Sequence, residues 1–203
     1  MNASIDLSGL GAGFADASIG SQTVFRHCLD ALSHPGKVIA VEPSLALSTP
    51  AGMHRPAAAI LLALLDQDTR LWLSPALRGG SAGSFLRFHT GCTLVETPAS
   101  ADFGLAASGA DLPPLAEFAA GSESYPDRSA TLVVQCAALT TDSGWTLTGP
   151  GIRDRARLSA EGIGNTFTSQ WAANRAGFPC GGDVFFASAD ALAALPRTTR
   201  LEG

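Results

Sequence analysis

The run 130-ATLVVQCAAL-139 is the stretch of sequence that decides the fold. It is almost unbroken in its apolar character, which is typical of a strand that is buried on both faces. Such a strand lies inside a sheet and needs other elements packed against each side of it. The sequence therefore predicts a layered domain built around residues 130–139.

The segments on either side of this run alternate between helical and extended patterns. Apolar residues at helical spacing predict helices over residues 22–33, 56–65, 81–89, 111–119 and 163–175. Short apolar and β-branched runs predict strands over residues 37–41, 70–73, 92–95, 102–105, 145–148, 156–159 and 183–187, with a turn at 141–144. The segment over residues 190–195 is short and apolar. This order predicts an α/β fold with a mixed β-sheet flanked by helices.

The first twenty residues differ in composition from the rest of the chain. They are rich in glycine, alanine and serine, which predicts a flexible N-terminal arm over residues 1–20. No linker, repeat or shift in composition interrupts residues 21–203, and 203 residues is a length typical of one domain. We therefore expect a single α/β domain over residues 21–203.

Composition and charge exclude several classes of protein. The chain is 46% hydrophobic and 15% charged, which excludes disorder of the whole chain. A net charge of −5 disfavours a general nucleic-acid binder. The longest apolar run, residues 57–65, is less than half of the ~20 residues that a membrane-spanning helix needs. The start lacks the basic region of a signal peptide, so a cytoplasmic protein is expected.

The four cysteines are scattered along the chain, with no Cys-x-x-Cys pair, and are expected to be free thiols.

Two short motifs raise catalytic or metal-binding hypotheses. Residues 79–83 match Gly-x-Ser-x-Gly, the turn that exposes the nucleophile Ser81 in α/β-hydrolases. A hydrolase triad then needs an acid followed by a histidine, but His89 is the only histidine after Ser81 and no carboxylate lies between them. A glycine-rich loop with a helix cap is therefore favoured.

A second motif, His27, Asp30 and His34, shares one helical face and could ligate a metal. Pro35 disturbs the helical geometry at His34. A surface face with one ion pair between Arg26 and Asp30 is therefore favoured, and no metal-binding residue is predicted.

Three side chains are candidates for a ligand site or an interface. Arg87, His89 and Arg197 stand beside small or polar neighbours. Guanidinium groups suit phosphates and carboxylates, and arginine is also enriched at protein interfaces. The glycine segments match neither the dinucleotide-binding pattern nor the P-loop pattern. No catalytic or cofactor-binding residue is predicted.

Several blocks of sequence, taken in order, resemble the PhnH family, which are subunits of the bacterial carbon–phosphorus lyase system. The first block is Phe25-Arg26 followed by Leu32-Ser33-His34-Pro35-Gly36. The later blocks fall at residues 58–66, 71–74, 86–90, 130–135, 147–152, 178–183 and 194–199. Each block alone is weak, but their order from residue 25 to the C-terminus is specific.

The resemblance implies a fold similar to the large domain of pyridoxal-phosphate-dependent transferases, without that cofactor's anchoring residues. It implies a homodimer that joins PhnG, PhnI and PhnJ in a core complex acting on organic phosphonates. With PhnG, PhnI and PhnL, such a subunit supports the step in which a phosphonate displaces adenine from ATP. With methylphosphonate the product is alpha-D-ribose 1-methylphosphonate 5-triphosphate, and PhnJ then breaks the carbon–phosphorus bond. The family offers no firmly assigned catalytic residue, so a subunit without activity alone is expected.

Two alternatives remain beside this interpretation. A stand-alone pyridoxal-phosphate transferase would need a Schiff-base lysine, and Lys37 is the single lysine of the chain. Lys37 directly follows the Pro35-Gly36 turn, at the start of the predicted strand over residues 37–41 near the N-terminus, whereas the transferases place their lysine in the second half of their large domain. No cofactor is therefore expected. The other alternative is a phosphonate-binding or nucleotide-binding module that uses Arg87, His89 and Arg197.

Overall fold

A computed structural model describes residues 11–202 of the chain. Its helices are α1 (Ala17–Ser33), α2 (Arg55–Leu64), α3 (Pro75–Arg78), α4 (Ala82–Thr90) and α5 (Thr166–Ala176). Its strands are β1 (Ile39–Ala40), β2 (Arg70–Leu73), β3 (Thr93–Val95), β4 (Phe103–Ala106), β5 (Ala120–Ser122), β6 (Tyr125–Ser129), β7 (Thr131–Gln135), β8 (Leu139–Thr148), β9 (Ala156–Ala160), β10 (Asp183–Ala187), β11 (Ala191–Leu195) and β12 (Arg200–Glu202).

Seven of these strands form the main sheet, in the order β1-β11-β10-β7-β4-β2-β3. Strands β10, β7, β4, β2 and β3 run parallel, whereas β11 is antiparallel to both of its neighbours. The predicted α/β fold with a mixed sheet is therefore confirmed. Strand β7, which comes from the apolar run over residues 130–139, lies at the centre of this sheet.

The two faces of the sheet carry two separate hydrophobic layers. Helices α1, α2 and α4 cover one face, where Ile60, Phe85 and Phe185 are fully buried. Helix α5 and a three-stranded sheet, β12-β8-β9, cover the other face around Trp171 and Phe186. Burial of each such side chain contributes roughly 1.5–3 kcal/mol to stability. These layers explain why the middle of β7, residues 132–134, is apolar on both faces.

The central strand is shorter than its apolar run predicts. The prediction of one strand over residues 130–139 is wrong, because β7 ends at Gln135 and Leu139 already begins β8. Between them the backbone of Cys136 donates to Ala187, and that of Ala137 donates to Glu161. These bonds lead the chain out of the main sheet toward β9.

Two further predictions need correction for identifiable reasons. Residues 111–119 do not form an α-helix but lie across two 3₁₀ turns, at Gly109–Asp111 and Leu115–Glu117. The consecutive Pro113 and Pro114 lack N–H donors and restrict the residue before each. The predicted turn at 141–144 lies inside β8 as a bulge, because the pairing jumps from Thr140–Ser159 to Trp145–Leu158.

The termini of several elements also differ from the predictions. Helix α1 begins at Ala17 rather than at residue 22, because Asp16 Oδ1 accepts a hydrogen bond of 2.9 Å from the N–H of Ile19. The short apolar segment at 190–195 contains strand β11. The predicted strand over residues 37–41 is reduced to the two residues of β1.

The start of the predicted N-terminal arm, residues 1–10, lies outside the described residues. Residues 12 and 15, farther along that arm, are hydrogen-bonded to Ser48 and Leu45. Over residues 11–202, none of the helices combines the length and the hydropathy needed to cross a membrane.

Candidate functional site

The guanidinium group of Arg197 is fully hydrogen-bonded to other residues of the chain. Its guanidinium pairs with Asp183, with Nη2 at 2.7 Å from Oδ2 and Nε at 3.2 Å from Oδ1. Nη1 donates to the carbonyl oxygens of Pro126 and Pro179 at 2.9 and 3.3 Å, and Nη2 donates to Ser129 Oγ at 2.6 Å. A guanidinium has five N–H donors, so each of them has a partner. Arg197 thus joins the start of β10 to the β5–β6 hairpin and the Pro179 turn.

Arg87 and His89 lie on α4 in different surroundings. His89 Nε2 is 3.1 Å from the carbonyl oxygen of Gly11, and its ring packs against Phe85 and Phe88. His89 therefore anchors residues around Gly11 to α4. Arg87 is exposed, and its side chain makes no hydrogen bond or ion pair with any other residue in 11–202. It borders two shallow concavities beside edge strand β3.

The three predicted candidates do not meet in one site. Arg87 lies on α4, next to β3, at one end of the sheet. Arg197 follows β11, near the other end, and β10, β7, β4 and β2 lie between them. A single ligand site formed by Arg87, His89 and Arg197 together is incompatible with this separation.

The carboxyl edge of the parallel strands is filled by the chain's own residues. Folds of this class bind ligands at that edge, where the strand order reverses, which here is between β2 and β4. At that point Ser74 Oγ accepts a hydrogen bond from the N–H of Ala107 at 3.1 Å. Nearby, Gln135 Oε1 accepts from the N–H of His54 at 2.6 Å, and His54 Nδ1 lies 3.0 Å from the carbonyl oxygen of Ala187. The segment around His54 therefore covers this edge.

An apolar concavity of about 330 Å³ lies between α5 and the first residues of β7 and β10. Its polar side chains are bound internally. Gln170 Oε1 accepts from the N–H of Leu115 at 2.9 Å, and the Asn174 amide bonds both backbone groups of Gly182 at 2.8 and 3.0 Å. Half-buried Cys180 also lines this concavity.

All four cysteines are free thiols, as predicted. Burial raises the pKa of Cys28 and of Cys136 to about 12, and burial also raises the pKa of Cys92. These three thiols are therefore inert structural residues, since only the thiolate form is nucleophilic.

A concavity of about 320 Å³ forms where the end of α1 meets the β8–β9 loop. We call it the cationic junction and define it by Lys37, Arg153, Asp154 and Arg155, with His34 at its rim. Its lining holds three cations and one carboxylate, and Lys37 also pairs with Asp30 beside the lining, in a chain whose net charge is −5. Arg153 and Arg155 are not among the residues predicted from the sequence. The signal that could have found them is an arginine at every second position, Arg153, Arg155 and Arg157, directly after the block at residues 147–152.

Two glycines allow the two walls of the cationic junction to approach each other closely. Gly36 has φ +93°, and a Cβ added there would lie 2.7 Å from the Cβ of Ala156. Gly151 has φ +80°, and a Cβ added there would overlap the carbonyl oxygen of Ser33. Only glycine fits both the conformation and the space at these two positions. The Ser-His-Pro-Gly and Gly-Pro-Gly-Ile blocks are therefore in direct contact.

The helical face of Asp30 and His34 carries ion pairs, as the favoured interpretation predicts. Asp30 Oδ2 is 2.6 Å from Lys37 Nζ, and Asp30 Oδ1 is 2.8 Å from His34 Nδ1. The hydrogen bond and charge of Lys37, with those of His34, lower the pKa of Asp30. The expected partner of Asp30, Arg26, is thus replaced by Lys37. In residues 11–202, no three His, Cys, Asp or Glu side chains are placed to hold a metal ion.

The Gly-x-Ser-x-Gly motif forms the entry to α4. Ser81 occupies the N-cap position, as the favoured interpretation predicts, although its side chain makes no capping hydrogen bond. Gly80 and Gly83 line a shallow concavity with Arg87, and Arg78 there pairs with Glu96 at 2.9 Å. The motif therefore acts as a helix start.

Comparison with known proteins gives consistent similarities over the whole described chain. The family model described as bacterial phosphonate metabolism protein (PhnH) matches residues 12–202. A Rhizobium meliloti (strain 1021) protein, alpha-D-ribose 1-methylphosphonate 5-triphosphate synthase subunit PhnH, is 40% identical over 189 residues, which cover 93% of this chain and 94% of that protein. The putative C-P lyase subunit protein HtxG of Stutzerimonas stutzeri is 29% identical over 180 residues, which cover 89% of this chain and 85% of that protein.

Proposed function

The chain belongs to the PhnH family of bacterial phosphonate metabolism proteins, and from this premise we propose that it is a subunit of the synthase that makes alpha-D-ribose 1-methylphosphonate 5-triphosphate. The synthase would form this product from ATP and methylphosphonate with release of adenine. The observation that carries the proposal is 40% identity to a subunit of that synthase over nearly the full length of both chains.

The subunit is proposed to be inactive alone. Its working partners would be PhnG, PhnI and PhnL for synthesis and PhnJ for carbon–phosphorus bond cleavage, in the cytoplasm. A homodimer and a fold related to the large domain of pyridoxal-phosphate-dependent transferases belong to the same proposal. The seven-stranded mixed sheet with helices on both faces supports that fold relationship. The closed carboxyl edge around Ser74, Gln135 and His54 supports a role that does not use this edge for chemistry.

The surroundings of Lys37 argue against a stand-alone pyridoxal-phosphate transferase. Its ammonium forms an ion pair with Asp30, and its side chain is 52% exposed just beyond the C-terminal end of α1. Schiff-base chemistry needs a neutral amine in an enclosed site. The test is reduction with borohydride in the presence of the cofactor, for which no added mass at Lys37 is expected.

Of the three candidates taken from the sequence, Arg87 is the one that we propose as a contact for a partner subunit. It is exposed, and neighbouring Phe88 and Leu94 are exposed apolar side chains. Arginine and aromatic residues are enriched at protein interfaces. Arg197 is proposed as a structural residue and His89 as an anchor for residues around Gly11.

The deciding experiment measures adenine release from ATP and methylphosphonate. Purified PhnG, PhnI and PhnL are assayed with and without this chain, and the chain is also assayed alone. We expect release from the complete mixture, a loss of at least tenfold when the chain is omitted, and no release from the chain alone. Equal release without the chain, or turnover by the chain alone, would contradict the proposal.

The partner contact at Arg87 has its own test. The variant Arg87→Ala is expected to co-purify less with the partner subunits than the wild type does, while its melting temperature stays unchanged. Arg26→Ala, another exposed arginine without an ion pair among residues 11–202, is the matched control. Equal recovery of both variants would exclude Arg87 from the interface.

A further inference from the structure

We propose that the cationic junction binds the phosphate chain of a triphosphate-bearing ligand. This inference deepens the proposed function, on which it rests for the identity of the ligand, because ATP and the ribose 5-triphosphate product share that group. The binding site itself is argued from the charges, the contacts and the shape of the junction.

The charges of the junction are available to a ligand. Arg153 and Arg155 are exposed, and neither makes an ion pair or a side-chain hydrogen bond within the described chain. By contrast, Arg70, Arg78 and Arg197 are each bound to a carboxylate. Free guanidinium groups present planar sets of N–H donors that match phosphate oxygens.

The position of the ligand follows from the negative groups nearby. Lys37 already pairs with Asp30, and the C-terminal end of α1 carries partial negative charge toward the same side. Among the described residues that line the junction, Asp154 is the one carboxylate beside Arg153 and Arg155. We therefore place the phosphates against Arg153 and Arg155, with Lys37 at the edge of the bound group.

The shape of the junction favours a small polyanion. A concavity of about 320 Å³ has room for a phosphate chain together with water. The contacts at Gly36 and Gly151 fix the backbone of both walls, so little ordering of the backbone is needed on binding. An acidic surface of a partner subunit is the competing occupant, and the experiment below separates the two.

The first test is calorimetric titration of the isolated chain with inorganic triphosphate at low ionic strength. The variant R153Q/R155Q is expected to bind at least tenfold more weakly than the wild type. The control R26Q/R128Q changes the net charge equally, at α1 and β6, and is expected to bind within twofold of the wild type. Weakening of wild-type binding by added salt is expected as well.

The second test uses the single lysine and needs no variant. Lys37 lines the junction and is 52% exposed, so it is open to acylating reagents. Saturating inorganic triphosphate is expected to slow acylation of Lys37 at least threefold, as measured by peptide mass spectrometry. Inorganic sulfate at the same ionic strength is the control and is expected to protect less.

Several results would overturn the inference. These are the absence of triphosphate binding by the wild type, equal weakening in R26Q/R128Q, or no protection of Lys37. Loss of partner co-purification by R153Q/R155Q with triphosphate binding intact would identify the junction as a protein interface and also overturn it. Failure of the proposed function is distinguishable, because triphosphate binding would then persist while omission of the chain leaves adenine release unchanged.

Discussion

Replacement of Arg197 by alanine is the sharpest test of its structural role. The change removes five hydrogen bonds, which tie the start of β10 to Pro126, Ser129 and Pro179. It also leaves Asp183 without its ion-pair partner. The side chains of Arg197 and Asp183 are 15% and 22% exposed, so water replaces the lost bonds only in part.

The expected loss can be estimated from this burial. Removing one partner of a buried ion pair costs about 3–5 kcal/mol. The lower end applies here, because the carboxylate is partly exposed and keeps its 2.7 Å bond to the backbone N–H of residue 197. We expect a loss of about 3 kcal/mol, which lowers the melting temperature of a domain of this size by roughly 6–12 °C.

The assay is urea unfolding together with a thermal melt of the isolated chain. The matched control is Arg70→Ala, which breaks the Arg70–Asp102 pair on an exposed surface, where Arg70 is 54% exposed. An exposed pair contributes at most about 1 kcal/mol. Equal losses of unfolding free energy in the two variants would refute the conclusion that the hydrogen bonds of Arg197 stabilise the fold.

Three further predictions follow from other contacts. Because the hydrogen bonds of Arg70 lower the pKa of Asp102, the stability that the pair contributes is present above about pH 4 and is lost as the pH falls further. The difference in urea midpoint between Arg70→Ala and the wild type is therefore expected to be smaller at pH 3 than at pH 7, and an unchanged difference would contradict the ion pair. Gly151→Ala is expected to lower the stability of the protein clearly more than Gly162→Ala does. Both glycines have positive φ, but of the two only Gly151 lacks space for a Cβ. Equal urea midpoints of the two variants would contradict the contact between Gly151 and Ser33. Iodoacetamide at pH 8 is expected to label Cys180 first in the native protein, and peptide mass spectrometry that finds a buried cysteine labelled first would contradict the assigned burial.

The sequence predicts the elements whose residues have a clear period or a clear boundary. Helix α2 is a run of alanine and leucine after Pro56, and strand β2 matches its predicted bounds. Strand β11 has no such signal, because Ala191–Leu195 consists only of alanine and leucine, which show neither a strand period nor a boundary. It becomes a strand because the Ser188 turn returns the chain antiparallel to β10.

The site is less predictable than the fold, because its geometry depends on contacts distant in sequence. Residue type alone selects Arg197, yet its donors are all bound by Asp183, Ser129 and two carbonyl groups elsewhere in the chain. The cationic junction depends on the approach of Gly151 to the end of α1, far apart in sequence. A single sequence carries no pattern that reports such a contact.

The antiparallel insertion of β11 has a consequence for how the chain folds during its synthesis. Strand β1 joins the main sheet only through β11, so this edge cannot form until residues 191–195 have been made. Pairings between distant segments slow folding, and an unpaired strand edge exposes the growing chain to aggregation. Helix α1, which carries exposed Phe25 and Leu29, packs on α2 early in synthesis but lacks its second support, β11, through most of translation. Production of this protein in a heterologous host is therefore expected to benefit from slow translation and from chaperones.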